Sequence, residues 1–149
     1  MNKNYTYIIL ADDDEDDRLL FTDAFDEIKI ATKVQTFKDG AELMHHLNDP
    51  ECTLPEIVFI DLNMPKKNGI ECLMEIKANP RYNNVAIAIY STSSSEEHIE
   101  ETFVKGANVY IRKPNDFNTL KKVLQDVVTL NWQYYTSGMN IENFVMKID

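Results

Sequence analysis

Several features that define other classes of protein are missing from this 149-residue sequence. No stretch approaches the roughly 20 consecutive apolar residues that a membrane-spanning helix requires, so we predict no membrane association. The short apolar run near the start is followed by acidic residues where a secretory signal has small ones, which argues against a signal peptide. The two cysteines, Cys52 and Cys72, have no CxxC or metal-type spacing, so we expect reduced thiols in a cytoplasmic protein.

The sequence also has no cluster of basic residues, and its formal net charge is −10. A field of that sign repels phosphate backbones, so we predict no nucleic-acid binding. Part of the acidic charge lies in a run at positions 12–17, which on composition alone is typical of a solvated loop. Neither an internal repeat nor a linker divides the chain, and this favours a single domain.

Short apolar runs alternate along the chain with segments that have apolar residues at helical spacing. Such alternation is typical of a parallel sheet covered by helices on both faces. Ser94 with Glu97 has the capping-box pattern for the fourth helix, and Gly106 stands where a left-handed residue ends it. The patterns predict strands at 7–11, 33–37, 57–60, 85–90 and 108–112, and helices at 18–29, 41–47, 70–78, 94–105 and 120–130.

Chemically useful side chains follow four of the predicted strands. Because the carboxyl ends of parallel strands meet at one edge of a sheet, we expect these side chains to converge on one pocket. Crowded carboxylates repel one another, and Mg²⁺, which prefers carboxylate oxygens and water, removes that cost. With Mg²⁺ and a lysine holding phosphate oxygens, one carboxylate can act as a nucleophile and form an aspartyl phosphate. The residues are Asp12 and Asp13, Asp61, Ser91 and Thr92, and Lys113.

These residues resemble the receiver domains of two-component response regulators, of the CheY-like type. The resemblance covers about residues 5 to 130 and rests on four motifs taken together. They are the pair Asp12-Asp13, the segment DLNMPKKNG at 61–69, a hydroxyl after the fourth strand and the segment YIRKP at 110–114. The resemblance implies a flavodoxin-like α/β fold, a doubly wound five-stranded parallel sheet with strand order 2-1-3-4-5 in three α/β/α layers.

The resemblance also implies a role for each matching residue. Asp61 is expected to be the phosphoacceptor. Asp13 and Asp61 are expected to bind Mg²⁺ directly, joined by the backbone carbonyl of Asn63, while Asp12 acts partly through water. Lys113 is expected to contact the phosphoryl group.

Two further residues are implied to form the switch. The Ser91 hydroxyl is expected to turn toward the phosphoryl group, and Tyr110 to move with it. The family's usual separation from the lysine selects Ser91, and a one-residue shift in register would select Thr92 instead. The peptide bond between Lys113 and Pro114 is expected to be cis, as is usual in the family.

Other uses of the acidic residues fit the sequence less well. A calcium-binding EF-hand loop requires glycine at its sixth position and glutamate at its twelfth, where this run has Asp17 and Asp23. A phosphatase of the haloacid dehalogenase type requires a second acid two residues after its nucleophile, where Asn63 stands. Asp14, Asp16 and Asp17 are expected to raise the local negative potential or to cap the following helix.

The predicted function is that of a single-domain response regulator, a switch protein rather than a turnover enzyme. Its expected partners are a histidine kinase or histidine phosphotransfer protein and a downstream protein target. The alternative is a receiver-like module that binds its partner without phosphorylation. Residues 131–149 are expected to be a C-terminal extension, too short for a DNA-binding output domain, that packs on the receiver domain or makes a homodimer or partner contact.

Overall fold

The computed structural model describes residues 5–130 and 141–146. The remainder of the predicted C-terminal extension, residues 131–140 and 147–149, lies outside the described residues. Within the described ranges, no helix combines the length and the apolar character that crossing a bilayer requires.

One sheet of five parallel strands forms the centre of the fold, with the order β2-β1-β3-β4-β5 that the resemblance implied. Strands β1, β3 and β4 consist almost entirely of buried apolar residues, because helices cover both faces of the sheet. The order of the strands reverses at β1, so the switch point lies between the carboxyl ends of β1 and β3. The strands are β1 (Thr6–Ala11), β2 (Thr32–Phe37), β3 (Ile57–Ile60), β4 (Ala86–Ser91) and β5 (Val109–Arg112).

The helices alternate with the strands and divide the core in two. Side chains of α1 and α5 pack on one face of the sheet, and those of α2, α3 and α4 on the other. Successive side chains of β1 point to opposite faces of the sheet, so Ile8 and Leu10 belong to one half of the core and Ile9 to the other. The helices are α1 (Glu15–Glu27), α2 (Gly40–Leu47), α3 (Gly69–Lys77), α4 (Glu96–Val104) and α5 (Phe117–Thr129), with a 3-10 turn at Pro80–Tyr82.

Helix α1 begins three residues earlier than predicted, at Glu15 rather than position 18. The cause is its cap: the side chain of Asp14 accepts a hydrogen bond from the backbone N–H of Asp17, at 3.0 Å. Along the helix, Leu20 is 45% exposed while Phe21 is fully buried. The inward stripe of α1 therefore runs through positions 21, 24 and 25.

The predicted capping box of α4 is wrong by one residue. Ser95, not Ser94, caps the helix, and its hydroxyl accepts from the backbone N–H of His98 at 3.4 Å. Ser93 sets this register, because its own hydroxyl accepts from the N–H of Ser95. The predicted end of the helix is confirmed, since Gly106 has a left-handed φ of 98°.

A C-terminal helical turn (Ile141–Phe144) packs back on the domain. The fully buried ring of Phe144 lies 5.2 Å from the ring of Phe103 and 6.2 Å from that of Tyr110, both edge-on. Val145 then forms a parallel bridge with Tyr110, and the N–H of Met146 donates to the Tyr110 carbonyl at 2.8 Å. This part of the extension therefore covers the outer edge of β5, which lies at the edge of the sheet.

Candidate functional site

Three carboxylates meet at the carboxyl edge of the sheet, as the strand-end argument predicted. Asp12 and Asp13 follow β1, Asp61 follows β3, and one oxygen of each lies within 4.8 Å of the others. The pairing of the two strands produces this proximity, because Ala11 lies opposite Ile60 and its carbonyl accepts from the N–H of Asp61 at 3.0 Å. Asp12 and Asp61 are buried, whereas Asp13 is exposed, so the group opens to solvent on one side.

Lys113 brings the positive charge to this group. Its ammonium nitrogen lies 2.8 Å from Oδ2 of Asp12 and 3.2 Å from Oδ2 of Asp61, and its side chain is only 9% exposed. The end of β5 holds the residue in place, since the backbone N–H of Lys113 donates to the carbonyl of Ser91 at 2.9 Å. Burial tends to lower the pKa of Lys113, but its pairing with the neighbouring aspartates outweighs burial and raises that pKa.

The carboxylate of Asp12 is fully buried and depends on Lys113 for a counter-charge. Oδ1 accepts the backbone N–H of Asp14, and Oδ2 lies 2.8 Å from the Lys113 ammonium. Burial raises the pKa of Asp12 to about 6, opposed by Lys113 and by the Asp14 N–H. A buried carboxylate crowded beside two others suits a hard divalent cation such as Mg²⁺.

Two neighbours of Lys113 were not predicted as members of the site. Asp17, in the first turn of α1, lies 2.8 Å from the Lys113 ammonium through its Oδ2. The ring of Tyr90 lies 5.3 Å from the same ammonium, within the range of a cation–π contact. The sequence did contain a signal for Asp17. Asp17 stands four residues before the buried Phe21, so the two side chains lie on the same face of α1.

The hydroxyl residues after β4 lie in different environments. Ser91 is fully buried at the end of β4 and accepts the N–H of Ser93 at 3.1 Å, whereas Thr92 is exposed. Tyr110 is fully buried and donates through its hydroxyl to the carbonyl of Ser93 at 2.9 Å. Burial raises the pKa of Tyr110, opposed by hydrogen bonds with Ser93 and Ser91. The two expected switch residues are thus linked through the β4–α4 loop.

The loop after β3 passes very close to Asp61. The backbone N–H of Asn63 points at Oδ1 of Asp61 from 3.4 Å, and the N–H of Gly69 donates to the carbonyl of Leu62 at 3.1 Å. A side chain at Gly69 would meet the Asp61 carbonyl at 2.5 Å. Glycine is therefore required where the loop returns, and its presence holds the strand end against the start of α3.

The expectation of a cis bond before Pro114 is wrong. No peptide bond among the described residues is cis, so Lys113 is joined to Pro114 by a trans bond. The lysine ammonium nevertheless lies among the aspartates, and trans is the lower-energy form of an X–Pro bond.

Comparison with known proteins identifies the family. The model of the response regulator receiver domain matches residues 8–125. The chain belongs to this family. Receiver domains of response regulators are components of two-component signalling, so both the predicted recognition and the predicted fold are confirmed.

Curated relatives and solved structures agree with this assignment. The response regulator Rcp1 of Synechocystis is 28% identical over 127 residues, covering 80% of this chain and 84% of its own length. The probable methanogenesis regulatory protein FilR2 of Methanothrix harundinacea is 27% identical over 123 residues, 80% of this chain and 79% of that protein. The crystal structure of the phosphorylated cyanobacterial phytochrome response regulator RcpA has a TM-score of 0.77 at 27% identity, covering 91% of this chain and 97% of that one.

Proposed function

We propose that this receiver domain accepts a phosphoryl group on Asp61, with Mg²⁺, and thereby switches a protein-interaction surface. The observation that carries the proposal is the position of the Asp61 carboxylate. It lies 3.2 Å from the Lys113 ammonium and within 4.8 Å of carboxylate oxygens of Asp12 and Asp13. A carboxylate with both a cation and oxygen ligands for a metal close by is placed to attack a phosphoryl group.

The expected metal ligands are Asp12, Asp13, Asp61 and the backbone carbonyl of Asn63. The burial of Asp12 beside the other two carboxylates supports the first of these, and the solvent-facing Asp13 leaves room for water ligands. When bound, Mg²⁺ supplies positive charge to the phosphoryl oxygens during an in-line transfer. The protein's own roles in the transfer fall to Asp61, Lys113 and Ser91.

In the transfer, an oxygen of Asp61 forms a bond to phosphorus while the phosphorus–nitrogen bond of a phosphohistidine donor breaks. The imidazole released takes up a proton from solvent, and Asp61 becomes an acyl phosphate. Lys113 pairs with the phosphoryl oxygens, which carry a charge of about −2. The hydroxyl of Ser91 gives up its hydrogen bond with the backbone N–H of Ser93 and donates to the same phosphoryl oxygens.

The switch follows from the loss of that loop contact. Ser91 and Tyr110 share Ser93 as a hydrogen-bonding neighbour, so moving Ser91 changes the contacts that hold Tyr110. Tyr110 lies on β5 beside α4, and the altered face formed by α4, β5 and α5 is the surface that a downstream protein would recognise. The phosphodonor would be a histidine kinase or a histidine phosphotransfer protein. The solved relative RcpA is described as phosphorylated, which supports this mode of action.

In domain terms, we propose a receiver unit over residues 5–130 and an extension over 131–149. The support is that Ile141–Met146 packs on β5 and α4 as an addition to a complete five-stranded sheet.

The test is labelling by a small phosphodonor such as acetyl phosphate. We expect Mg²⁺-dependent, acid-stable and base-labile incorporation into the wild-type protein, and none into Asp61→Asn. Asp126→Asn, a carboxylate on α5, is the matched control and should label as the wild type does. Folded wild-type protein that binds Mg²⁺ but incorporates no phosphoryl group would favour the alternative, a receiver-like module that binds partners without phosphorylation.

A further inference from the structure

Lys113 contacts a carboxylate that belongs neither to the metal group nor to the receiver motifs. Its ammonium donates to Oδ2 of Asp17 at 2.8 Å, a shorter contact than the one at 3.2 Å to Oδ2 of Asp61. Asp17 comes from α1, not from a strand end, and its side chain remains 31% exposed. The lysine is therefore shared between the candidate phosphoacceptor and a carboxylate outside the expected metal ligands.

Helix α1 holds Asp17 firmly in this place. The backbone N–H of Asp17 is bound by the capping side chain of Asp14. One turn later, Phe21 is fully buried, with its ring 5.0 Å from the ring of Phe59 and 5.8 Å from that of Tyr90. The cap and the buried Phe21 hold the backbone of α1 in place, so Asp17 stands on a fixed turn of the helix with its carboxylate at Lys113.

A phosphoryl group on Asp61 would compete with Asp17 for the lysine. An ammonium has three donors, and in this structure two of them serve Asp17 and Asp61 while Asp12 lies in charge contact. Phosphorylation replaces the single charge of Asp61 with a group of about −2 that needs the same donors. The fixed charge of Asp17 also repels that group, so both effects act in one direction.

We propose that Asp17 is a positioning residue that holds the Lys113 ammonium and competes with the phosphoryl group for it. Asp17 thereby sets the concentration of phosphodonor that is needed to phosphorylate Asp61. This inference rests on the proposed function, because it concerns the same phosphoryl group.

The decisive comparison is between Asp17→Asn and Asp16→Asn. Both remove one negative charge from the first turn of α1, but Asp16 is exposed, whereas Asp17 contacts Lys113. With Mg²⁺ saturating, we expect Asp17→Asn to need roughly threefold less acetyl phosphate for half-maximal phosphorylation, a change of the size typical of one partly exposed ion pair. Asp16→Asn should stay close to the wild type. Equal values for the two variants, or a higher requirement in Asp17→Asn, would overturn the proposal.

Two further measurements separate positioning from a general structural effect. Asp17→Glu keeps the charge and should return the half-maximal concentration toward the wild-type value. In the Lys113→Ala background, Asp17→Asn should lower that concentration by less than it does with Lys113 present, because the shared ammonium is gone and only the repulsion between Asp17 and the phosphoryl group remains. An undiminished effect in that background would contradict the proposal. If the wild-type protein itself takes up no label, the proposed function fails and the inference fails with it. If the wild-type protein is labelled but Asp17→Asn and Asp16→Asn need the same acetyl phosphate concentration, only the inference fails.

Discussion

The ammonium of Lys113 lies 2.8 Å from a carboxylate oxygen of Asp12, whose side chain is fully buried. In the absence of metal this cation is the nearest charge that compensates Asp12 and Asp61, and the site depends on it. Removing one partner of a buried pair leaves the other charge uncompensated.

Lys113→Ala should lower the free energy of unfolding by about 3 kcal/mol in metal-free buffer, because two buried carboxylates lose their counter-charge. Mg²⁺ should restore part of the loss, since the cation supplies charge to the same carboxylates. Urea unfolding with and without Mg²⁺ measures both effects. Lys105→Ala removes a lysine whose ion pair with Glu101 is partly exposed, and should cost less than about 1 kcal/mol. Equal losses in the two variants would contradict the account.

Metal binding should depend on Asp13, the exposed member of the acidic group. At a Mg²⁺ concentration ten times the dissociation constant, ligand binding stabilises the wild-type protein by about 1.4 kcal/mol. Asp13→Asn should lose most of this stabilisation, while its metal-free stability should be unchanged or higher because like charges are no longer crowded. Thermal unfolding across a Mg²⁺ titration is the measurement, with Asp16→Asn as the control. A full Mg²⁺ response in Asp13→Asn would remove Asp13 from the metal site.

Phe144 should be a structural part of the domain. Its ring is fully buried between Phe103 and Tyr110, so Phe144→Ala should cost about 3 kcal/mol of stability, at the lower end for a buried phenylalanine. Ile141→Ala, at a position that is 43% exposed in the same turn, should cost much less. Denaturant unfolding compares the two. A negligible loss for Phe144→Ala would show that the C-terminal turn does not pack on β5 in solution.

The strand ends were the part of the site most open to prediction from sequence. Asp12, Asp61 and Lys113 are far apart in the chain, but each follows a short apolar run, and parallel pairing brings such ends together. Asp17 was missed because the apolar pattern placed the helix start at position 18. Extending the helix by one turn toward its N-terminus places Asp17 on the same face as the buried Phe21.

Other differences have equally local causes. Among three successive serines before α4, hydrogen bonding by Ser93 makes Ser95 the cap, although the capping-box pattern with Glu97 favoured Ser94. The contact of Phe144 with Tyr110 joins positions 34 residues apart, and no local pattern in the sequence pairs one with the other. Long-range packing of single aromatic residues is not encoded in a local pattern.

The two cysteines should differ in reactivity. Burial raises the pKa of Cys72 to about 12, so at pH 8 almost none of it is thiolate, the form that reacts with iodoacetamide. Cys52 is only partly buried. We therefore expect folded protein at pH 8 to be alkylated at Cys52 first, and Cys72 to react only as the pH approaches its raised pKa or when the chain unfolds. Peptide mass spectrometry of a time course measures this. Faster alkylation of Cys72 than of Cys52 in folded protein would contradict the packing around α3.

The central claim, that Asp61 carries the phosphoryl group, is tested most directly by locating the modified residue. Borohydride reduces an aspartyl phosphate to homoserine, a change that peptide sequencing by mass spectrometry assigns to one position. After treatment with acetyl phosphate and Mg²⁺, the account predicts homoserine at position 61, and none there in samples from which Mg²⁺ or the phosphodonor is omitted. Homoserine at position 12 or 13, or its absence from protein that has incorporated phosphate, would contradict the assignment of Asp61.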